Sequence, residues 1–250
     1  MGRDVSGNVA LVTGAGQGIG RAIATTLAAH GATVAVNDVG SEKAEKVVGE
    51  IVAAGGKAVA ACADVSRRDD VGRMVGGIIE QFGRLDILVN NARVEPPRPA
   101  EMAAEDWWDR VLDVDLKGAW LCSMAALEPM KHQQFGRIIN ISSIQAFVGN
   151  ADPDWVAYSC AKAGMIALTR SLAQAGLKFG ITANAIAPGY IETEVMEARW
   201  GGEKMRQLAA SVPVGRPGKP EEVAEAVVFL VKSGYITGET IFMTGGSYVR

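Results

Sequence analysis

The sequence predicts an α/β fold: a single doubly wound domain with a predominantly parallel seven-stranded sheet flanked by helices. Three observations carry this. Short apolar runs recur along the chain with helical segments between most of them, a glycine-rich turn joins the first run to the first helix, and no linker, charge block or internal repeat divides the 250 residues.

VALVT at Val9 to Thr13 reads as the first strand, and the glycine turn after it leads into a helix around Ile19 to His30. TVAVN is the second strand, followed by a helix around Glu42 to Ala54. KAVAAC at Lys57 to Cys62 and a helix around Asp69 to Phe82 repeat the alternation. LDILVN at Leu85 to Asn90 is the fourth strand. RIINI at Arg137 to Ile141, TANAI at Thr182 to Ile186 and TIFM at Thr240 to Met243 complete the seven. Pro96, Pro97 and Pro99 mark an exposed connection, because proline cannot donate to a sheet ladder. The segment 188–217 is expected as a local excursion over a substrate cleft within one domain spanning 1–250, not as a second domain.

Composition narrows the function. The 25 Lys and Arg against 28 Asp and Glu leave a net charge of -3, and Arg67 and Arg68 abut Asp69 and Asp70, so no basic stripe offers itself to nucleic acid. No apolar stretch reaches membrane-spanning length, and the expected location is the cytoplasm. Cys62, Cys122 and Cys160 lack CxxC spacing, so they are expected to be reduced and mainly structural. With only His30 and His132 beside them, no metal site is expected.

TGAGQGIG at Thr13 to Gly20 carries the first chemistry. Gly14 permits the tight turn, Gly18 admits a phosphate close to the backbone, and Gly20 allows close helix packing, while the helix N-terminus faces phosphate charge. A tight turn with no ligand is the plainer alternative, but the strand-to-helix setting favours a dinucleotide. The GxxxxGK[ST] spacing of a phosphate-transferring loop is absent. Asp38 follows the second strand, where a carboxylate accepts hydrogen bonds from an adenosine ribose and repels a 2'-phosphate. NAD(H) is therefore favoured and NADP(H) stays possible, with helix capping as Asp38's structural alternative. Asp64 and Val65 are placed for adenine contact. Asn90, Asn91 and Ala92 end the fourth strand beside the prospective crevice.

YSCAK puts Tyr158 and Lys162 four residues apart, on one face of a helix. A lysine ammonium there favours phenolate charge, which suits tyrosine as a general acid and base toward a carbonyl or alcohol. Ser143, at the end of the preceding strand, is placed to orient the substrate oxygen, or else to cap a local turn. A serine hydrolase is disfavoured, since Ser143 has no GxSxG elbow.

Together these motifs, with PGYIET at Pro188 to Thr193, resemble the short-chain dehydrogenase/reductase family over essentially the whole chain, most closely its compact 3-oxoacyl thioester reductases and small-alcohol or sugar dehydrogenases. The resemblance implies a Rossmann-like domain and reversible hydride transfer between NAD and a small carbonyl or alcohol substrate. Tyr158 would be the acid/base, Lys162 would bind ribose and activate the tyrosine, and Ser143 would position the substrate oxygen. It adds Gln17, Ile19, Pro188, Gly189, Ile191 and Thr193 as cofactor contacts, and Gln145, Trp155 and Tyr190 as substrate candidates. It also implies a homotetramer with contacts from helices near Asp106 to Met130 and Tyr158 to Phe179. A nonenzymatic dinucleotide-binding scaffold is the alternative from another class.

Two positions depart from the family pattern. The usual NNAG is NNAR here, so Arg93 either recognises an acidic substrate or turns outward toward carboxylates. Asp115, in VLDVDLKG, stands where the resemblance predicts an asparagine whose backbone carbonyl reaches the lysine through water. Its carboxylate would stabilise Lys162 while offsetting the lysine's field at Tyr158, or else face a cap or water.

Overall fold

The computed structural model describes residues 4–94 and 96–249, with all side chains in them except those at 197, 199, 200, 204 and 205. Seven strands form one parallel sheet: β1 (Val9–Val12), β2 (Thr33–Val36), β3 (Lys57–Ala60), β4 (Ile87–Asn90), β5 (Gly136–Ile141), β6 (Ile181–Pro188) and β7 (Thr240–Met243). Their spatial order is β3-β2-β1-β4-β5-β6-β7. The order reverses between β1 and β4, which opens a crevice beyond the carboxyl ends of those two strands.

The helices are α1 (Gly18–Ala29), α2 (Ser41–Ala53), α3 (Arg68–Phe82), α4 (Ala104–Leu112), α5 (Ala119–Gln133), α6 (Val156–Gly176), α7 (Glu194–Ser211) and α8 (Pro220–Lys232). Alternation along β1 shows why both faces of the sheet are covered. Ala10 and Val12 pack toward Ile23 and Leu27 of α1 and Val227 of α8, while Val9 and Leu11 pack toward Val75 of α3 and Leu127 of α5. The central strands β1, β4, β5 and β6 are buried along their whole length. The edge strands β3 and β7 retain partial exposure.

The structure adjusts several expected boundaries. β4 begins at Ile87, after Asp86, whose carboxylate leaves the strand role to accept the Val9 N–H at 2.9 Å and the Arg84 guanidinium at 2.7 Å. The apolar stretch expected as helix around Asp106 to Met130 contains a six-residue π-helical turn, Asp113–Gly118, between α4 and α5. Within 188–217 the chain forms α7, which bends at Gly201, where φ is 66°. The thiols are free, but only Cys122 is buried. Cys62 and Cys160 are exposed, which corrects the expectation of mainly structural cysteines, because Cys62 falls in the loop after β3 and Cys160 on the solvent side of α6.

Candidate active site

The glycine turn and the end of β4 hold each other at the reversal of strand order. Asn91 donates its side-chain amide to the carbonyls of Thr13 and Gly14, and Thr13 Oγ1 accepts the N–H groups of Asn91 and Ala92 at 3.0 and 3.1 Å. The approach leaves no room for side chains: a Cβ on Gly14 would lie 2.7 Å from Ala92 Cα, and one on Gly20 would lie 2.3 Å from the Gly14 carbonyl oxygen. Gly18 differs, because a Cβ there meets nothing closer than Thr193 at 3.4 Å, and its φ of +55° suits glycine. It faces open space at the start of α1, whose first turn carries no acidic side chain. This bare, N–H-rich cradle fits the phosphates of a dinucleotide.

A cleft of about 540 Å³ runs from this cradle. The turn residues Gly14, Gln17, Gly18, Ile19 and Gly20 line one side, with Asp38, Asp64 and Val65 further along and Asn91, Ala92 and Thr193 opposite. Asp38 is fixed by two backbone donors, Gly16 N–H at 3.2 Å and Gly40 N–H at 3.1 Å. Asp64 accepts the Ser66 N–H and hydroxyl at 2.9 and 2.7 Å, a local turn that leaves Val65 and Ser66 on the cleft wall. Lys43 also reaches this wall, its ammonium 3.2 Å from Gln17 Oε1, and sequence reading did not single it out.

A second cleft, of about 490 Å³, shares Ile19, Asn91, Arg93 and Thr193 with the first. Ser143, Tyr158 and Lys162 converge on it. Ser143 stands at the end of β5, where its hydroxyl accepts the Gln145 N–H at 3.1 Å. Its neighbour Ser142 donates to the Lys162 carbonyl at 2.8 Å, tying β5 to α6 beside the tyrosine and lysine. Lys162 lies beneath the tyrosine, its ammonium 5.4 Å from the ring centroid and 3.2 Å from the Ile141 carbonyl oxygen.

Gln145, Trp155 and Tyr190 all line this second cleft, as do Pro188, Gly189 and Ile191 from the end of β6. Trp155 packs edge-on against Tyr158, with ring centroids 5.7 Å apart and planes at 86°. Arg93 is exposed and lines both clefts. Asp115 lines neither: it is buried beneath them, with its carboxylate 3.3 Å from the Lys162 ammonium. That position corrects the alternative in which Asp115 faces a cap or water, because the π-helical turn rotates it toward α6.

Sequence reading did not name Asn150, Asp152, Met196, Leu208 or Ser247 individually on this wall, although Met196 and Leu208 belong to the 188–217 excursion expected over the cleft, and only the fold gathers them. It also missed a brace beside Trp155. Arg98 pairs with Asp154 at 3.1 Å and donates to the Met102 carbonyl, while Trp107 Nε1 donates to the Asp154 carbonyl at 3.0 Å. Among the described residues no cluster of three His, Cys, Asp or Glu side chains is arranged to hold a metal, and no helix is long and apolar enough to cross a membrane.

Comparison with known proteins places this geometry in context. The family described as enoyl-(acyl carrier protein) reductase matches residues 14–248. The 3-oxoacyl-[acyl-carrier-protein] reductase FabG of Staphylococcus aureus strain Mu50 is 44% identical over 243 residues, covering 96% of this chain and 98% of that protein. The 3-oxoacyl-[acyl-carrier-protein] reductase of a Synechocystis species is 42% identical over 247 residues, covering 97% of each. A solved short-chain type dehydrogenase/reductase from Mycobacterium marinum superposes with a TM-score of 0.90 at 33% identity, covering 99% of this chain and 98% of that one.

Proposed function

Because the chain belongs to the short-chain dehydrogenase/reductase family, we propose that this oxidoreductase reduces a small carbonyl substrate with NADH, and oxidises the matching alcohol with NAD, at the second cleft. One observation carries the reading: Ser143, Tyr158 and Lys162 meet in a cleft continuous with the glycine cradle. When bound, the nicotinamide supplies a hydride to the carbonyl carbon or accepts one from the alcohol.

The chain's own residues do the rest. Ser143 holds the substrate oxygen by a hydrogen bond. Tyr158 gives its hydroxyl proton to that oxygen in reduction and takes it back in oxidation. Lys162 would bind the nicotinamide ribose and, lying under the ring, favours the negative charge left on the Tyr158 oxygen when its proton goes. Gly189 and Ile191 would hold the nicotinamide side of the cofactor and Thr193 its pyrophosphate, beside Gly18, while Asp64 and Val65 would flank its adenine. Gln145, Trp155 and Tyr190 contact the substrate, and the segment 188–217 covers it. NAD is favoured over NADP because the Asp38 carboxylate, pinned by two backbone donors, meets the ribose with negative charge.

The 3-oxoacyl thioesters are the first substrate class, on the strength of the two named reductases, and sugars and small alcohols are the second. Assembly as a homotetramer is supported by Trp108, Trp120 and Met124, which are partly exposed on α4 and α5 beside a groove lined by Leu112, Leu116 and Leu168. Three unpaired thiols suit the reducing cytoplasm.

NADH oxidation against a panel of 3-oxoacyl thioesters, sugars and small ketones tests the reading, with the reverse alcohol panel beside it. Tyr158→Phe is expected to lower turnover by roughly 10²- to 10⁴-fold while NADH binding persists. Bound NADH with no turnover on any member would favour the scaffold alternative and overturn the assignment.

A further inference from the structure

Asp115 and Lys162 are both almost fully shielded from solvent, at 0% and 1% exposure. Asp115 Oδ1 accepts the Val94 N–H at 2.7 Å, so the carboxylate fastens the backbone that follows Asn91 and Ala92. Its other oxygen, Oδ2, lies 3.3 Å from the Lys162 ammonium, an ion-pair distance, and among the described residues no other donor reaches it. One carboxylate thus touches both the loop at the junction of the clefts and the lysine beneath Tyr158. We propose that Asp115 is a positioning residue, whose carboxylate locks the Lys162 ammonium to the loop after β4 and whose charge sets the pH range in which Tyr158 and Lys162 work.

The charged groups around the pair are few. Lys162 faces Asp115 from α6, and the charge of Arg93 is felt from the loop after β4. Tyr158 looks into a cleft whose charged walls are Lys162, Arg93 and Asp152. Arg110 and Asp113, from α4 and the wide turn, face the other cleft. Burial pushes the Asp115 carboxyl above its ordinary range, and Lys162, the Val94 N–H and Arg93 pull it back.

Two consequences follow. Removing one partner of a buried pair strands the other's charge, whereas removing both relieves it. An anion beside the ammonium also weakens the positive field at Tyr158, so the productive pH range lies higher with the carboxylate than without it. An asparagine at 115 keeps an acceptor for Val94 but loses the charge and turns an amide NH2, itself a donor, toward the Lys162 ammonium.

The pair itself is tested without substrate or cofactor. Thermal unfolding of the unliganded protein is compared for Asp115→Asn, Lys162→Met and the double variant. The two losses in Tm are expected not to add, with the double variant several degrees more stable than the sum of the singles, and the discrepancy should shrink in acid as Asp115 is protonated. If Asp115→Asn alone does not fold, its rescue by Lys162→Met supports the pair and failure of rescue overturns it. Additive losses at every pH also overturn it.

The pH-setting role rests on the function proposed above and is read separately. In alcohol oxidation, which needs Tyr158 as the phenolate, the acid limb of the kcat profile is expected to move down by about half a unit to one unit in Asp115→Asn. An unmoved profile beside a non-additive cycle overturns that role. Absence of turnover in the wild-type protein would instead count against the proposed function, while the stability cycle would still decide whether the pair exists.

Discussion

Asn91 grips Gly14 across the reversal of strand order: its side-chain amide donates to the Gly14 carbonyl at 2.9 Å and to the Thr13 carbonyl at 3.0 Å. The end of β4 therefore sets the shape of the turn after β1. Asn91→Leu removes the donor from the buried Thr13 carbonyl and the half-buried Gly14 carbonyl and is expected to cost about 1–3 kcal/mol. Denaturant midpoints at constant m-value would measure it. Gly20→Ala is expected to do at least as much harm, since its Cβ would fall 2.5 Å from the same amide nitrogen.

The proposed preference for NAD rests on Asp38. Asp38→Ser removes the charge that opposes a 2'-phosphate and leaves Lys43 on the same wall. The ratio of kcat/KM for NADPH over NADH is expected to rise roughly tenfold or more, equivalent to about 1.4 kcal/mol. An unchanged ratio would show that another group sets the preference.

The brace formed by Arg98 and Asp154 secures the chain entering α6 and, with it, Trp155. Arg98→Ala is expected to raise KM for the carbonyl about threefold to tenfold and to change kcat less. Because both partners remain about a quarter exposed, the loss of stability should stay below about 1 kcal/mol. Steady-state kinetics beside thermal unfolding separates the two effects.

At the entrance to α8, Glu222 takes two hydrogen bonds from the Arg216 guanidinium, each 2.8 Å, and one from the Lys219 N–H, which together hold its carboxyl down to about 2. A depressed carboxyl contributes stability above its ordinary value of 4.5 and loses it as pH falls from there toward 2. Glu222→Gln should flatten that portion of the Tm–pH curve by removing the contribution at neutral pH, a small loss for an exposed pair, while matching the parent protein near pH 2.

Period and spacing made the sheet legible. Runs such as VALV and RIINI are apolar throughout because both of their faces are covered, and the glycine turn declared its partner by the residues it omits. The pairing of Tyr158 with Lys162 was readable because four residues on a helix return to one face. Other parts of the site leave no such trace. The Arg98 brace joins residues 56 positions apart, and Met196, Leu208 and Ser247 meet the cleft only after β6 and β7 have been laid side by side. Asp115 was identified by its departure from a pattern, but its direct contact with Lys162 depends on a change of helical pitch that no local propensity announces.

That change of pitch also makes the phase of the two flanking helices depend on the length of the turn. The six residues Asp113–Gly118 wind more widely than an α-helix, so α4 buries Trp107 and Val111 while α5 turns Cys122, Ala126 and Met130 inward on a rotated stripe. Each residue advances an α-helix by about 100°. A π-turn holds one residue more than an α-turn, so deleting one residue between Leu112 and Ala119 should let α4 and α5 join as ordinary helix in phase, whereas adding one there should rotate the buried stripe of α5 by about 100° toward solvent.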